Sequence, residues 1–552
     1  MIILFRHWGY NQNLKEYKRL KDPVYGYISI PIKYMNKVID TACFQRLRRI
    51  IQTSYSPLYS SAVHNRFVHS MGVFHLGEIA ANQIIAEIQR KIEPNFNIER
   101  LGEVFKIACL LHDVGHAPFS HTGEEFFLHS DKEFTEIHNE LIAVVSSKNF
   151  DVDVPKEKTA AAAPHEIMSS IVGIISFPDL FSDESEREFF ARCITGYRYS
   201  EKSEENDIRN CFIQLLNSNV IDVDKLDYLI RDAYITGFDT VSIDYERLLG
   251  ALTVVKQNGG YELAYYKNAI SVIENVVYAR DAERKWIQSH PIIIYETYIL
   301  QHIIAHLCEQ ISALGKKLFC MESLLTEGQE FKENVKVSLM SDDDIIYLMK
   351  NVFPNELSSE YFRRIDRRHP VWKSEAEYKA FFLEKTSGGE ILKEFETAMA
   401  ATAKYISGRS DIWHINEELV NTIKSELQEI DNQDLDEMSK TVQKRDKEKI
   451  LKVVNCLQRY ALEKNIEYDF IIIKSTQFNS GFGKTDFSDT NIVFPMGNGE
   501  EKVAKVGKIV SSLNARVKDR DDFFYLFYKR DNNNDTQLES RELCTLLIRE
   551  FV

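Results

Sequence analysis

No stretch of the chain approaches the roughly 18 uninterrupted apolar residues that a membrane-spanning helix needs, so no membrane partner is expected. Paired cysteines are missing as well. The eight cysteines (43, 109, 193, 211, 308, 320, 456 and 544) are scattered without a CxxC, which argues against a zinc ribbon or a disulfide framework and fits a reducing cytoplasm. Glycine and proline are sparse, at 23 and 12 of 552 residues, and neither an internal repeat nor a long low-complexity tract occurs. The opening MIILFRHWGY turns polar too soon for a signal peptide. Positive charge is in deficit. A net charge of −15 speaks against broad nucleic-acid binding, which phosphate neutralisation drives, so nucleic acid is not expected as the main partner. An anionic small molecule stays compatible, because a few Arg and Lys can converge locally.

What the first 310 residues do contain is helical periodicity. Leu101, Val104, Phe105, Ala108 and Leu111 share one face of 101–112, and Leu226, Leu229, Ile230 and Ala233 share one face of 221–235. Residues 262–310 also read as helix, broken at Pro291. The segment 128–164 opens with a charged helix-like piece and continues as SSKNFDVDVPKEKTAAAAP, expected as a mobile loop in an insertion that acts as a lid. Residues 415–463 are charged and helical. YDFIIIKST, DTNIVFP and FFYLFYKR then have strand composition, before a closing helix LESRELCTLLIREF. The expected class is mainly α: a helical core domain over 1–310, a helical extension over 311–414, and a smaller C-terminal α+β region over 415–552.

Chemistry concentrates at 109–121, CLLHDVGHAPFSH. His112 and Asp113 are adjacent and follow an apolar helix, so both can approach one ion from its end. Upstream, HNRFVHSMG supplies His69; downstream, IDVDKLDY supplies Asp222 and Asp224. Two imidazoles and two carboxylates suit a borderline divalent cation such as iron, zinc or manganese. Such an ion polarises a phosphoryl oxygen and lowers the pKa of bound water. An isolated His-Asp pair usually means nothing; the ordered set carries the weight. Tyr228 and Asp232 follow Asp224 at one-turn intervals and share its helix face.

The order His, His-Asp, Asp is the signature of the HD superfamily. The chain resembles the superfamily's deoxynucleoside triphosphate triphosphohydrolases, in pattern the branch with a sterile alpha motif and an HD domain, although no sterile alpha motif is evident. The matching stretches are DPVYGYISI (22–30), IDTACFQRLRRIIQ (39–52), HNRFVHSMGV (64–73), LLHDVGHAPFSH (110–121), His165-Glu166 and IDVDKLDYLIRD (221–232). They span roughly residues 18–300.

The resemblance implies that 1–310 is an HD phosphohydrolase domain that converts a dNTP into deoxynucleoside and inorganic triphosphate. It implies metal ligation by His69, His112, Asp113 and Asp224, with magnesium accompanying the nucleotide phosphates. His116, His121 and His165 would line the phosphates, His121 serving as the acid for the leaving nucleoside oxygen. Glu124 would orient His121, where the relative carries Asp, and a neighbouring carboxylate raises a histidine pKa toward the working range. Arg66, Lys225 and Arg280 would clamp phosphate, while Gln52, Tyr228 and Asp232 meet the sugar. Asp40 and Arg48, with Lys18, match an activating guanine-nucleotide site between subunits, which implies a nucleotide-activated homo-oligomer, a tetramer.

The sequence also departs from the pattern. TSYSPLYSSAV (53–63) lacks the relative's glycine-rich run, so base preference does not carry over. The insertion brings His129 and His138 as rivals to His165. Tyr228 also fits as a core aromatic, the QRLRR around Arg48 as a solvated basic face, and Arg66, Lys225 and Arg280 as surface charges or ion pairs. Arg363, Arg364, Arg367 and Arg368 read either as surface or as phosphate contacts from a neighbouring subunit. DNNNDTQLESRE (531–542) has calcium-loop spacing but Thr536 where the sharp turn wants Gly, so a polar turn is expected. Two other functions fit the bare centre: a phosphodiesterase or nuclease on cyclic or oligonucleotides, and a nucleotide sensor without turnover.

Overall fold

The computed structural model describes residues 16–551 except 129, 220, 239–240, 258, 384–389, 408–411, 431–435, 476–484, 498, 511–522 and 530–535. His129 and the start of the calcium-loop lookalike lie outside the described residues. The chain is mainly helical, and its packing gathers it into two units. One combines Met1–Glu283, Ile311–Tyr347 and Ser480–Val517; the other combines Arg284–Gln310, Leu348–Asn479 and Lys518–Val552. These groupings cut across boundaries at 310 and 414, because segments distant in sequence return to each core.

The axis of the first unit is α1 (Arg66–Lys91), started by Asn65, whose side chain accepts the Val68 N–H. It is buried on most faces because α2 (Ile98–Leu111) and further elements pack around it. On α2 the five residues of the expected stripe are buried, and so are Ile107, Cys109 and Leu110. Each large apolar side chain so buried contributes roughly 1.5–3 kcal/mol. The consequence for function is that the C-terminal end of α2 delivers His112 and Asp113 inside the protein.

The remaining helices of this layer are α3 (Asp131–Val145), α4 (Pro164–Ser176), α5 (Glu184–Thr195), α6 (Glu204–Leu216), α7 (Val223–Thr236) and α8 (Ile270–Glu283). Pro164 opens α4, where its missing N–H costs nothing. The Glu166 carboxylate accepts the Ala163 N–H at 2.7 Å. Asp222 caps α7, accepting the Lys225 N–H at 2.7 Å.

Two glycines permit close approaches around the site. A Cβ at Gly72 would fall 1.8 Å from Asp227 Oδ1, and one at Gly115 would fall 2.4 Å from the α4 backbone at Met168.

Strands frame the unit: the antiparallel hairpin β1 (Tyr17–Asp22) and β2 (Gly26–Pro31), and a sheet of order β6-β5-β4-β3. Here β3 is Leu252–Gln257, β4 Gly260–Tyr266, β5 Asn491–Pro495 and β6 Glu501–Lys505; β5 runs parallel to β4. One expectation is corrected: residues 262–266 are strand, their alternation having been absorbed into a longer helical reading, whereas the helical run is interrupted before Pro291, which begins the next helix. The stretch 146–164 is not wholly loop: Lys148–Asp153 is helical, Phe150 is fully buried, and Asp153 pairs with Arg192 at 2.7 Å.

In the second unit the helices Glu417–Glu429 and Glu437–Lys464 accompany an antiparallel sheet of His369–Pro370, Phe524–Tyr528 and Phe470–Lys474. The arginine run divides. Arg364 and Arg367 reach toward Glu296, but Arg368 is buried between Glu360 and Asp469, so it is a structural ion pair and not a phosphate contact. None of the eight cysteines is joined in a disulfide. Among the described residues no helix is long and apolar enough to cross a membrane.

Candidate active site

His69 on α1, His112 and Asp113 at the end of α2, and Asp224 on α7 converge. His69 Nε2 lies 2.9 Å from Asp224 Oδ1 and 3.2 Å from His112 Nε2. Asp113 Oδ2 lies 3.6 Å from both imidazole Nε2 atoms. The far side of each ring is fixed. His69 Nδ1 is 2.7 Å from Asp227 Oδ2, and His112 Nδ1 is 2.9 Å from the Cys109 carbonyl. A carboxylate and a carbonyl only accept, so both Nδ1 atoms carry the proton and both Nε2 lone pairs point inward. Two inward lone pairs with carboxylate oxygens beside them form the donor set of a divalent cation, and His69, His112 and Asp224 are mutually close enough to share one. Burial pushes the His69 pKa down, but Asp224, Asp227 and Asp113 raise it to about 10, which measures this cluster's pull on positive charge. Burial also disfavours the Asp113 carboxylate, yet Arg66 with the two histidines holds its pKa well below the usual range.

Behind His69 runs a buried chain that the motif reading did not single out. Asp227 accepts two bonds from Arg231, at 2.9 and 3.0 Å, and Arg231 reaches Asp22 at 2.9 Å. Asp22 and Asp227 both lie in the matching stretches DPVYGYISI and IDVDKLDYLIRD, but nothing local in either stretch signals that they share Arg231.

A second cluster adjoins on the loop after the metal pair. Glu124 holds two histidines, with His121 Nδ1 at 3.0 Å from one oxygen and His165 Nδ1 at 2.7 Å from the other. His116 stacks on His165 at 4.5 Å and meets His121 edge-on at 5.3 Å. Burial works against a charged His165, but Glu124 raises its pKa to about 9. Burial pushes His116 well below the usual histidine range, so it is neutral. Neither His116 ring nitrogen has a hydrogen-bond partner among the described residues. His138 stacks on Phe134 within α3, away from this group, so of the two described histidines on the insertion side it is His165 that joins the cluster.

His112 and Asp224 share an open cleft of about 300 Å³ with His165, Glu166, Asn217, Asp222 and Lys225. Lys225 Nζ bonds Asp222 at 2.7 Å, and Arg280 Nη1 bonds the Asn219 carbonyl at 3.1 Å. Arg66 is buried, and its guanidinium is committed to Asp113 and to Ser120 Oγ, both at 2.8 Å. Tyr228 is half-buried, and burial pushes its phenol far up. Asp232 Oδ1 approaches His64 Nε2 at 2.8 Å, outside hydrogen-bonding geometry. That oxygen and Gln52 Oε1 are buried without a bond among the described residues. Lys18, Asp40 and Arg48 are exposed; Arg48 bonds Gln45 at 2.8 Å and lies 3.5 Å over the Phe67 ring.

The chain thus places a buried His-His-Asp centre on a helical scaffold beside a histidine-lined cleft, and residues 66–214 match the HD domain family. The chain carries that domain and is similar to proteins named as deoxynucleoside triphosphate triphosphohydrolases. It is 29% identical over 283 residues to the SAMHD1 homolog of Dictyostelium discoideum, half of this chain and 47% of that one. Bovine SAMHD1 is 32% identical over 238 residues, 42% of this chain and 38% of that one. The uncharacterized protein MG461 of Mycoplasma genitalium is 27% identical over 268 residues, 47% and 53% respectively. The chain thus spans about half the length of the curated relatives it matches. A hypothetical protein from Aquifex aeolicus shares the fold, with TM-score 0.52 over 97% of this chain and 100% of that one, at 18% identity.

Proposed function

We propose that the protein is a metal-dependent dNTP triphosphohydrolase that releases deoxynucleoside and inorganic triphosphate. The observation that carries the reading is the set of buried polar atoms around the two clusters that have no bond among the described residues: both His116 nitrogens and Gln52 Oε1. Buried polar groups are bonded in stable proteins, so these await a ligand with matching groups. A phosphate oxygen accepts from the single N–H of the neutral His116 ring, a hydroxyl donates to its other nitrogen, and a sugar hydroxyl donates to Gln52 Oε1.

A divalent ion held by His69, His112, Asp113 and Asp224 supplies polarisation of the phosphoryl oxygen and acidifies bound water. The chain's own residues do the rest. His165, kept cationic by Glu124, and Lys225 hold phosphate charge. A water oxygen adds to the α-phosphorus and loses a proton to solvent while the bond to the 5′-oxygen breaks. His121 gives that oxygen its proton, and Glu124 steadies the imidazolium's Nδ1 side. His121 is the most exposed of the group at 66%, as suits a residue that meets incoming substrate. The exposed Lys18, Asp40 and Arg48 are accessible to an activating nucleotide between subunits of a homo-oligomer.

Each dNTP, offered alone and with every other nucleotide as activator to protein loaded with iron, manganese or zinc, tests the reading by triphosphate release. Release from at least one dNTP is expected. Cleavage of cyclic or oligonucleotides without any triphosphate would overturn it in favour of a phosphodiesterase, and tight dNTP binding without turnover in favour of a sensor.

A further inference from the structure

Arg46 lies in the QRLRR stretch that reads as a solvated basic face, yet it is buried and has no carboxylate bonded to it among the described residues. Its three guanidinium nitrogens donate to backbone carbonyls: Met340 at 2.7 Å, Val114 at 3.0 Å, and His116. Asp342, two residues beyond Met340 and also buried, completes the arrangement. One of its oxygens accepts the Phe119 N–H at 2.6 Å, and the other accepts the Ile51 N–H at 2.8 Å. Ser120 adds a third pin, donating to the Ile51 carbonyl and accepting from Arg66 Nε.

The bonds to Val114, His116, Phe119 and Ser120 fall on the loop between the metal-holding pair His112-Asp113 and the exposed His121, while those to Met340 and Ile51 anchor the clamp outside it. That loop is strained: Phe119 and Ser120, consecutive non-glycine residues, have φ of 56° and 54°. Such backbone persists only where its surroundings over-determine it, and it clusters at functional sites. A buried cation that serves carbonyls alone is costly as scaffolding, since a neutral donor satisfies a carbonyl more cheaply. Here its charge is spread over the turn after Asp113, while Asp342 ties the same loop to Ile51, next to Gln52.

We propose that Arg46 and Asp342 are positioning residues that set His116 and His121 against the metal pair and against Gln52. The proposal rests on the reading of His121 as the acid. Its structural core, that these two residues hold the 114–121 loop, stands apart from that reading.

The test compares Asp342→Asn and Arg46→Lys with the full-length wild type. Three quantities are measured: amide hydrogen exchange along the chain, manganese bound per chain, and kcat and KM on the dNTP the wild type turns over fastest. Asp342→Asn keeps the shape but puts an NH2 where a second acceptor is needed. Exchange in 116–123 is expected to rise about tenfold or more with the rest of the chain unchanged. Manganese stoichiometry should hold, and kcat should fall about 10- to 100-fold with KM within twofold. Arg46→Lys, which keeps the charge but not the three-way fork, is expected to show the same local pattern. Exchange that is unchanged at 116–123, exchange accelerated uniformly along the chain, or a change in KM alone overturns the proposal. If the wild type turns over no dNTP, the proposed reaction fails, while the exchange arm still decides the role of the clamp.

Discussion

Asp227 and His69 meet at 2.7 Å with both side chains fully buried, and that contact fixes which imidazole nitrogen faces the candidate metal centre. Asp227→Asn replaces a mandatory acceptor with a group whose NH2 can face the ring, which releases the tautomer and tilts His69. Metal affinity is expected to fall about 10- to 100-fold, the usual cost of losing a carboxylate behind a metal histidine. Metal titration followed by calorimetry reads this directly; an affinity within twofold of wild type would show that the contact does not control the site.

Gly72 is expected to be as sensitive, although it carries no functional group. A Cβ there would lie 1.8 Å from Asp227 Oδ1 and 2.5 Å from Arg231 Nη2, neither of which has room to retreat. Gly72→Ala should lower stability by roughly 1–3 kcal/mol through overpacking. It should also weaken metal binding in parallel with Asp227→Asn. Thermal unfolding and metal titration on the same preparation separate the two effects.

How much of this was legible beforehand depended on range along the chain. His112 and Asp113 are neighbours on an apolar helix, and His69 and Asp224 sit in motifs of fixed spacing, so the residues of the cluster could be named in advance. The helical character of the core followed from period-3.6 patterning. Residues whose importance arises only by long-range contact were hidden. Arg46 looked like part of a solvated basic face, and Asp342 lies in an acidic SDDD run that was not singled out. Asp22 meets Arg231 only because the β1–β2 hairpin folds back on α7. Strand β4 was misread because Glu262–Tyr266 joins directly to a helical segment, and beyond its hairpin neighbour β3 it pairs with β5 from far along the chain. Pairing of that kind leaves no local mark.

The Glu124–His165 contact gives a pH dependence with a definite sign. Glu124 raises the folded-state pKa of His165 to about 9, above the roughly 6.5 of an unfolded histidine. The pair's contribution is therefore complete below about pH 6.5 and is lost as pH rises through about 9. Unfolding free energy should fall by on the order of 1–3 kcal/mol between pH 6.5 and 9.5 in the wild type. In Glu124→Gln that decline should be absent or displaced to lower pH. Denaturant melts at half-unit pH steps check it, and identical profiles for both proteins would contradict the assignment.

His121 and Lys225 should separate kinetically, because one is read as acting on the leaving group and the other as binding charge. General acid catalysis is worth about 10²- to 10⁴-fold, so His121→Ala should lower kcat by that factor on a dNTP and leave metal content unchanged. The loss should shrink on a substrate whose leaving oxygen is already a weak base, such as a nitrophenyl ester of triphosphate, since such a group departs without a proton. Lys225 lines the cleft with Asp224, bonded to the Asp222 carboxylate at the start of α7. Lys225→Ala should raise KM more than it lowers kcat, because a phosphate contact made in both ground and transition states is uniform binding. Its defect should be the same for dNTP and nitrophenyl ester. If His121→Ala is equally impaired on both substrates, the acid is another group; His165, held on the same Glu124 carboxylate and kept cationic by it, is then the residue to substitute next.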